Sequence, residues 1–110
     1  MIIITGGAGF IGSNLITNLN KNGIKEIVIF DNLNKQKKKN LKNLSFKKIY
    51  NKNEIFKFLK SNKKKIDVIF HLGACTNTLE SNWDYLYKNN FEFSKKLSIY
   101  SGLNNIKVIY

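Results

Sequence analysis

Residues 5–12 read Thr-Gly-Gly-Ala-Gly-Phe-Ile-Gly, and this glycine-rich stretch decides the fold. It follows the β-branched apolar run Ile2-Ile3-Ile4, which is typical of a strand buried on both faces of a parallel sheet. After it, apolar residues recur at helical spacing from Phe10 to about Asn20. The stretch therefore connects a predicted strand to a predicted helix, which is the setting that a phosphate-binding glycine loop requires.

The glycines of this stretch have separate predicted roles. Gly6 permits the tight turn out of the strand, Gly9 lets backbone N–H groups approach a diphosphate, and Gly12 lets the helix pack closely on the sheet. The helix dipole and the unpaired N–H donors of the first helical turn favour negative charge at the same point. The sequence thus predicts a loop that binds the diphosphate of a dinucleotide.

An acidic residue stands where such a loop needs one. The next apolar run, Ile27-Val28-Ile29-Phe30, ends at Asp31, about 20 residues after the loop, the spacing expected for a ribose ligand. Asp31 would bind the ribose hydroxyls and repel a 2′-phosphate, which favours NAD. Four lysines just beyond it would neutralise a 2′-phosphate, so NADP also stays open: Lys35, Lys37, Lys38 and Lys39.

The middle of the chain, from Asn34 to Lys65, is rich in lysine and has only weak periodicity. Within it, Ile49-Tyr50 forms a possible short strand. One helical face is predicted from Ile55, Phe56 and Leu59.

The last third of the chain is clearer. Residues 66–71 predict another buried strand, which opens into a loop at Gly73-Ala74, and residues 106–110 predict a final strand. A long helix is predicted over residues 83–101, with Gly102 as its cap. Its apolar stripe consists of Leu86, Asn90, Phe93, Leu97 and Tyr100.

Strands that alternate with helices predict an α/β fold with a Rossmann-type doubly wound parallel sheet. The pattern ends after about the fifth strand, inside residues 106–110. We therefore expect a single domain over residues 1–110, the N-terminal part of a dinucleotide-binding domain.

Composition excludes several other classes. The formal charge of +12 would favour a nucleic-acid partner, but all 19 basic residues are lysine, and arginine is the residue preferred for bidentate contacts to phosphate and guanine. Most of the charge is therefore interpreted as solvated surface, with no nucleic-acid or membrane partner, and the chain is expected to be cytoplasmic. One cysteine and one histidine cannot form a structural zinc site, so no metal is expected.

Several motifs together resemble the extended short-chain dehydrogenase/reductases. These motifs are TGGAGFIGS (residues 5–13), Asp31-Asn32, HLGACT (residues 71–76) with the nearby Glu80, and Asn89-Asn90 followed by Ser94-Lys95. The last two are most similar to the branch of sugar-nucleotide epimerases that inverts C6 of ADP-heptose. The likeness extends over all 110 residues and is weakest from Asn34 to Lys65.

This resemblance implies an isomerase of lipopolysaccharide core-precursor synthesis that works as a homo-oligomer. It would use tightly held NADP for transient oxidation and re-reduction of ADP-heptose. The implied cofactor contacts are Phe10, Ile11, Asp31, Asn32, Lys38, Leu72, Gly73, Ala74, Cys75, Thr76 and Asn89. Thr76 would also reach toward the sugar. A further basic contact belongs near position 53, where this chain has Asn53 preceded by Lys52.

The same resemblance implies that catalysis needs a Tyr-x-x-x-Lys helix, in which the tyrosine is the general acid/base. None of the five tyrosines has a lysine four residues later. The catalytic segment and the sugar-binding domain are therefore expected to be absent from residues 1–110. A catalytically inactive NAD(P)-binding module and another extended-family epimerase or dehydratase remain alternatives.

Three side chains leave local alternatives. Cys75 and His71 are interpreted as walls of the cofactor pocket, although a thiolate nucleophile with a histidine base is the competing interpretation. Asn90 lies on the apolar stripe of its helix and needs a hydrogen-bond partner if buried. A cofactor or a loop carbonyl would serve, so either Asn89 or Asn90 is the candidate ligand.

Overall fold

A computed structural model describes residues 1–75 and 77–110 and contains one parallel five-stranded sheet. The strands are β1 (Ile2–Thr5), β2 (Ile27–Phe30), β3 (Lys48–Tyr50), β4 (Val68–His71) and β5 (Lys107–Ile109). Their order across the sheet is β3-β2-β1-β4-β5. The chain winds outward from β1 to β3, returns to place β4 beside β1, and winds outward on the other side. The predicted doubly wound Rossmann-type sheet is confirmed.

In the described part of the chain, four helices connect the strands. They are α1 (Phe10–Lys21), α2 (Lys35–Asn40), α3 (Ile55–Asn62) and α4, which covers residues 83–103. Within α4, the α-helical parts Trp83–Leu86 and Phe93–Leu103 are joined by a π-helical stretch, Tyr87–Glu92. Short 3₁₀ turns, Lys52–Glu54 and Lys63–Lys65, flank α3.

Both faces of the sheet are covered, because successive side chains of a strand point to opposite faces. Ile3 of β1 packs in one cluster with Ile55 and Leu59 of α3 and with Leu97 of α4. Ile4 packs in a second cluster with Ile16 of α1. Ile3 and Ile4 are completely buried, as a strand in the middle of a parallel sheet requires.

The structure moves some predicted boundaries. Strand β4 begins at Val68 and not at residue 66, because the ladder with β1 starts where Ile2 pairs with Val68. Helix α4 runs to Leu103, and its π-helical stretch was not predicted. The short strand and the helical face predicted in the lysine-rich segment are both present, as β3 and α3. Among the described residues, no helix combines the length and the apolar character needed to cross a bilayer.

Candidate functional site

The glycine loop and the loop after β4 touch each other at the carboxyl end of the sheet. Gly6 has a φ of +70°, and a Cβ there would lie 2.7 Å from the backbone of Gly73. A Cβ on Gly12 would lie 2.4 Å from the carbonyl oxygen of Gly6. Both distances are too short for any side chain, so the loop keeps its shape only with glycine at these two positions.

The glycine loop leads directly into α1. Gly9 is the residue before the helix, and no side chain caps the first turn. The first N–H groups of any α-helix lack an intrahelical partner, and the helix dipole adds partial positive charge beside them. The start of α1 is therefore a place where a diphosphate can be bound by backbone donors.

A cavity of about 720 Å³ opens beside this helix start. It lies where the chain reverses its winding direction, next to the ends of β1, β2 and β4. Its volume is in the range of small-molecule sites. Twelve residues predicted as cofactor contacts line it: Gly6, Gly9, Phe10, Ile11, Gly12, Asp31, Asn32, Leu72, Gly73, Ala74, Cys75 and Asn89.

One described residue among the predicted contacts, Lys38, is not among these lining residues. Lys38 is exposed on α2, and the lining lysine of that helix is Lys37. Thr76, predicted to touch the cofactor and to reach toward the sugar, lies outside the described residues. Tyr85 and Phe93 of α4 line the cavity without having been predicted.

Asp31 is buried at the end of β2 and faces the glycine loop. Its carboxylate accepts hydrogen bonds from the backbone N–H of Ala8, at 3.0 Å, and of Asn32, at 2.7 Å. The ammonium group of Lys37 forms an ion pair with the same carboxylate. Asp31 is thus fixed in orientation and partly neutralised at the edge of the cavity.

A second lysine, Lys52, reaches the cavity from the turn after β3. Its ammonium lies 5.1 Å from the ring centroid of Phe93. Burial lowers the pKa of Lys52, the nearby Asp31 raises it, and Lys37 lowers it further. The basic residue that lines the cavity near position 53 is thus Lys52, while Asn53 is exposed. The sequence feature that indicates the position of Lys52 is the pair Asn51 and Glu54, because these two residues form a capping box and start the turn that carries Lys52.

The structure decides between the two asparagines of α4. Both the N–H and the C=O of Cys75 are bonded to the Asn90 side chain, at 2.7 and 3.0 Å. Asn89 donates to the Asn90 amide oxygen at 2.8 Å and lines the cavity. The partner of Asn90 is therefore the loop backbone, and Asn89 is the one placed to meet a ligand.

His71 lies at the end of β4, beneath the loop that lines the cavity. Its Nδ1 is 2.6 Å from the hydroxyl of Thr5, and its Nε2 is 2.7 Å from the hydroxyl of Ser94. Burial, and secondarily the charge of Lys52, lower the pKa of His71. Since both ring nitrogens are engaged, His71 has no nitrogen left to act as a base for Cys75. His71 is also not among the residues that line the cavity.

Together these residues fit a dinucleotide. Amide donors at the start of α1 suit a diphosphate, and Asp31 suits a ribose. The glycine loop and the first turn of α1 form a cradle whose backbone leaves no room for a side chain at Gly6 or Gly12. Among the described residues, no group of three His, Cys, Asp or Glu side chains is placed to hold a metal ion.

Comparison with known proteins gives relatives of similar sequence and solved structures with the same fold. The chain is 46% identical over 101 residues to the ADP-L-glycero-D-manno-heptose-6-epimerase of Brachyspira hyodysenteriae, a match that covers 88% of this chain and 32% of that protein. The resemblance to epimerases of this kind is therefore confirmed.

Solved structures of similar proteins have the same fold as this chain. The ADP-L-glycero-D-manno-heptose-6-epimerase of Helicobacter pylori superposes with a TM-score of 0.81 at 29% identity, over 99% of this chain and 36% of that one. The UDP-glucuronic acid 4-epimerase of Bacillus cereus in complex with NAD superposes with a TM-score of 0.76 at 27% identity, over 97% of this chain and 36% of that one. The chain thus spans about a third of the length of these relatives.

The family model described as the NAD dependent epimerase/dehydratase family matches residues 2–110, which is nearly the whole chain. The glycine loop, the doubly wound sheet and the relatives all agree with that match. This chain belongs to the NAD dependent epimerase/dehydratase family.

Proposed function

We propose that residues 1–110 form the nicotinamide-dinucleotide-binding part of an epimerase that inverts C6 of ADP-D-glycero-D-manno-heptose, for lipopolysaccharide core-precursor synthesis. The observation that carries the proposal is the cavity bounded by the glycine loop, Asp31 and the loop after β4. The identity to ADP-heptose epimerases supports the choice of substrate.

Each side of the cavity takes one part of the dinucleotide. The first amides of α1, behind Gly9, hold the diphosphate, and Asp31 with Asn32 holds the adenosine ribose. The loop of residues 72–75 and Asn89 line the side that leads toward the nicotinamide. When bound, the cofactor would supply reversible two-electron oxidation of a sugar carbon.

The same site supports NADP over NAD. A bare Asp31 carboxylate would repel a 2′-phosphate, but the ammonium of Lys37 is paired with it. Lys52 lies in the lining nearby, and because burial disfavours its charged form, it gains by meeting an anion. The two lysines would hold the 2′-phosphate that Asp31 alone would reject.

Titration with NADP⁺ and with NAD⁺ tests the binding claim. A ligand that binds only the folded state at a hundred times its Kd stabilises that state by about 2.7 kcal/mol, so the thermal midpoint should rise, more with NADP⁺ than with NAD⁺. No rise with either cofactor at millimolar concentration would contradict the proposal.

A non-catalytic dinucleotide-binding module is the second candidate, because Tyr-x-x-x-Lys does not occur in these 110 residues. The two candidates differ in what the gene encodes after the codon of Tyr110. An open frame with Tyr-x-x-x-Lys would support the epimerase, and a stop codon would support the module. The 110-residue chain itself should not epimerise ADP-heptose in the presence of NADP⁺, and detectable turnover would show that the acid/base lies among residues 1–110.

A further inference from the structure

A continuous chain of hydrogen bonds runs from β1 through the only histidine of the sequence to α4. The N–H of Gly73 donates to the Thr5 hydroxyl at 3.2 Å, and that hydroxyl is 2.6 Å from Nδ1 of His71. On the other side of the ring, Nε2 is 2.7 Å from the Ser94 hydroxyl, which is 2.5 Å from the carbonyl oxygen of Asn90.

The direction of these bonds follows from their two ends. A carbonyl oxygen only accepts, so Ser94 must donate its proton to Asn90, and its lone pair must accept a proton from Nε2 of His71. At the other end, Thr5 accepts from Gly73 and is free to donate to Nδ1. All groups are satisfied when His71 is the neutral tautomer with its proton on Nε2.

Protonation of Nδ1 would disturb this arrangement. Nδ1 would become a donor toward Thr5, and the hydroxyl proton of Thr5 would lose its acceptor. Because Thr5 is 98% buried, water cannot replace that acceptor. From β1 and α4 the ring meets hydroxyl groups and the Phe93 ring, whose centroid is 5.5 Å away. The charged group that acts on the ring is Lys52, which is itself influenced by Asp31, Lys37 and Cys75.

The hydrogen-bonded chain also holds the loop that lines the cavity. Thr5 fixes the loop at Leu72, whose N–H donates to the Thr5 carbonyl at 3.0 Å, and at Gly73 through its hydroxyl. Asn90 fixes it at Cys75 through two bonds. Thr5 and Asn90 are joined through His71 and Ser94, so one imidazole connects the two anchors of the loop.

We propose that His71 is a positioning residue of the dinucleotide site. As a neutral Nε2–H imidazole it fixes residues 72–75 in the binding geometry, and its protonation releases this loop and weakens dinucleotide binding. This inference rests on the proposed function, because it assumes that the cavity takes a dinucleotide.

The first experiment reads the imidazole directly in the 110-residue chain labelled with ¹⁵N-histidine. With one histidine in the sequence, a single pair of ring-nitrogen signals is expected. At about pH 7.5, a full unit above the ordinary histidine pKa, Nδ1 should show an unprotonated signal and Nε2 a protonated one. A proton on Nδ1 at that pH, in either the other tautomer or the imidazolium, would overturn the proposal.

The second experiment follows the same signals through a pH titration with and without saturating NADP⁺. If protonation weakens binding at least about fivefold, reciprocity requires the His71 midpoint to fall by about 0.7 pH unit or more when the cofactor is bound. An unchanged midpoint in a chain that binds NADP⁺ would overturn the role of His71 alone. A chain that binds no dinucleotide at any pH would overturn the proposed function, and this inference with it.

A matched pair of variants separates positioning from a general structural role. Ser94→Ala removes the acceptor of Nε2, and Ser98→Ala removes an exposed hydroxyl one turn later on α4. We expect Ser94→Ala to weaken NADP⁺ binding about fivefold or more and to change the His71 midpoint, whereas Ser98→Ala should change neither. Equal behaviour of the two variants would contradict the proposal.

Discussion

The first βαβ unit, residues 2–30, and the lysine-rich segment, residues 34–65, face the same cavity but are determined differently. In the first unit, backbone contacts at Gly6 and Gly12 leave no room for another residue, so sequence and shape are tightly linked. In the lysine-rich segment, most lysines are exposed, and Lys37 and Lys52 are the ones that line the cavity. The comparison teaches that the shape of the glycine loop is determined by backbone contacts, whereas the charge at the cavity is determined by which lysines face it. In the proposed function, the first feature holds the diphosphate and the second selects the cofactor.

The largest expected effect is that of Gly12→Ala. Its Cβ would lie 2.4 Å from the Gly6 carbonyl oxygen and 2.6 Å from the Gly7 Cα, and these backbone atoms cannot move without opening the cradle. We expect a loss of about 1–3 kcal/mol of stability, measured by thermal unfolding, together with loss of NADP⁺ binding.

Gly102→Ala is the matched control for that variant. A Cβ at Gly102 meets no atom within 4 Å, and alanine is the better residue in a helix, so stability should stay the same or rise slightly. If Gly12→Ala behaved like Gly102→Ala, the cradle would not be as tightly determined as the comparison requires.

Lys52→Met tests the role of the lysine-rich segment in this comparison. Loss of a charge-assisted contact to the 2′-phosphate costs about 1.5–3 kcal/mol, so NADP⁺ affinity should fall about tenfold or more, while NAD⁺ affinity stays nearly constant. Calorimetric titration with both cofactors measures the ratio. Lys57→Met, at an exposed position of α3, should leave the ratio unchanged, and an equal loss of NADP⁺ and NAD⁺ affinity in Lys52→Met would exclude a specific role at the 2′ position.

A smaller effect concerns pH and the buried end of β4. Burial, and then Lys52, place the pKa of His71 below its ordinary value of 6.5. Between the lowered pKa of His71 in the folded chain and the ordinary pKa in the unfolded chain, the unfolded chain binds more protons than the folded one. The free energy of unfolding therefore rises with pH through this window and falls again as the pH is lowered. Urea unfolding at a series of pH values should show this slope. His71→Gln, which cannot titrate, should remove it, and an unchanged slope in that variant would assign it to other groups.

The smallest expected effect belongs to the exposed pair of Lys47 and Glu26. Lys47 lowers the pKa of Glu26 through a hydrogen bond and its charge, but both side chains are exposed to solvent. Such pairs contribute little, so Lys47→Met should leave the thermal midpoint unchanged within error. A clear fall would show that surface charge in the lysine-rich segment stabilises the fold, which would weaken the contrast between the two regions.

The same contrast explains what could be predicted from the sequence. The glycine loop, Asp31 and strands β1 and β2 were predictable because each depends on residues close together in the chain with few allowed conformations. The choice of Lys37 over Lys38 was not, since it depends on where the short helix α2 begins, after the cap at Asn34. The partner of Asn90 is the backbone of Cys75, fifteen residues away, and no local pattern indicates such a contact.

The π-helical stretch of α4 has one further consequence. Here the N–H of Phe93 bonds to the carbonyl of Lys88, five residues back, so this turn holds one residue more than an ordinary helical turn. The wider turn brings two consecutive asparagines to the same side, Asn90 to hold the loop and Asn89 to meet the cavity. Deleting a single residue between 87 and 92 would therefore restore an ordinary helical turn and keep the two ends of α4 in phase, but Asn89 and Asn90 could no longer both hold their present positions.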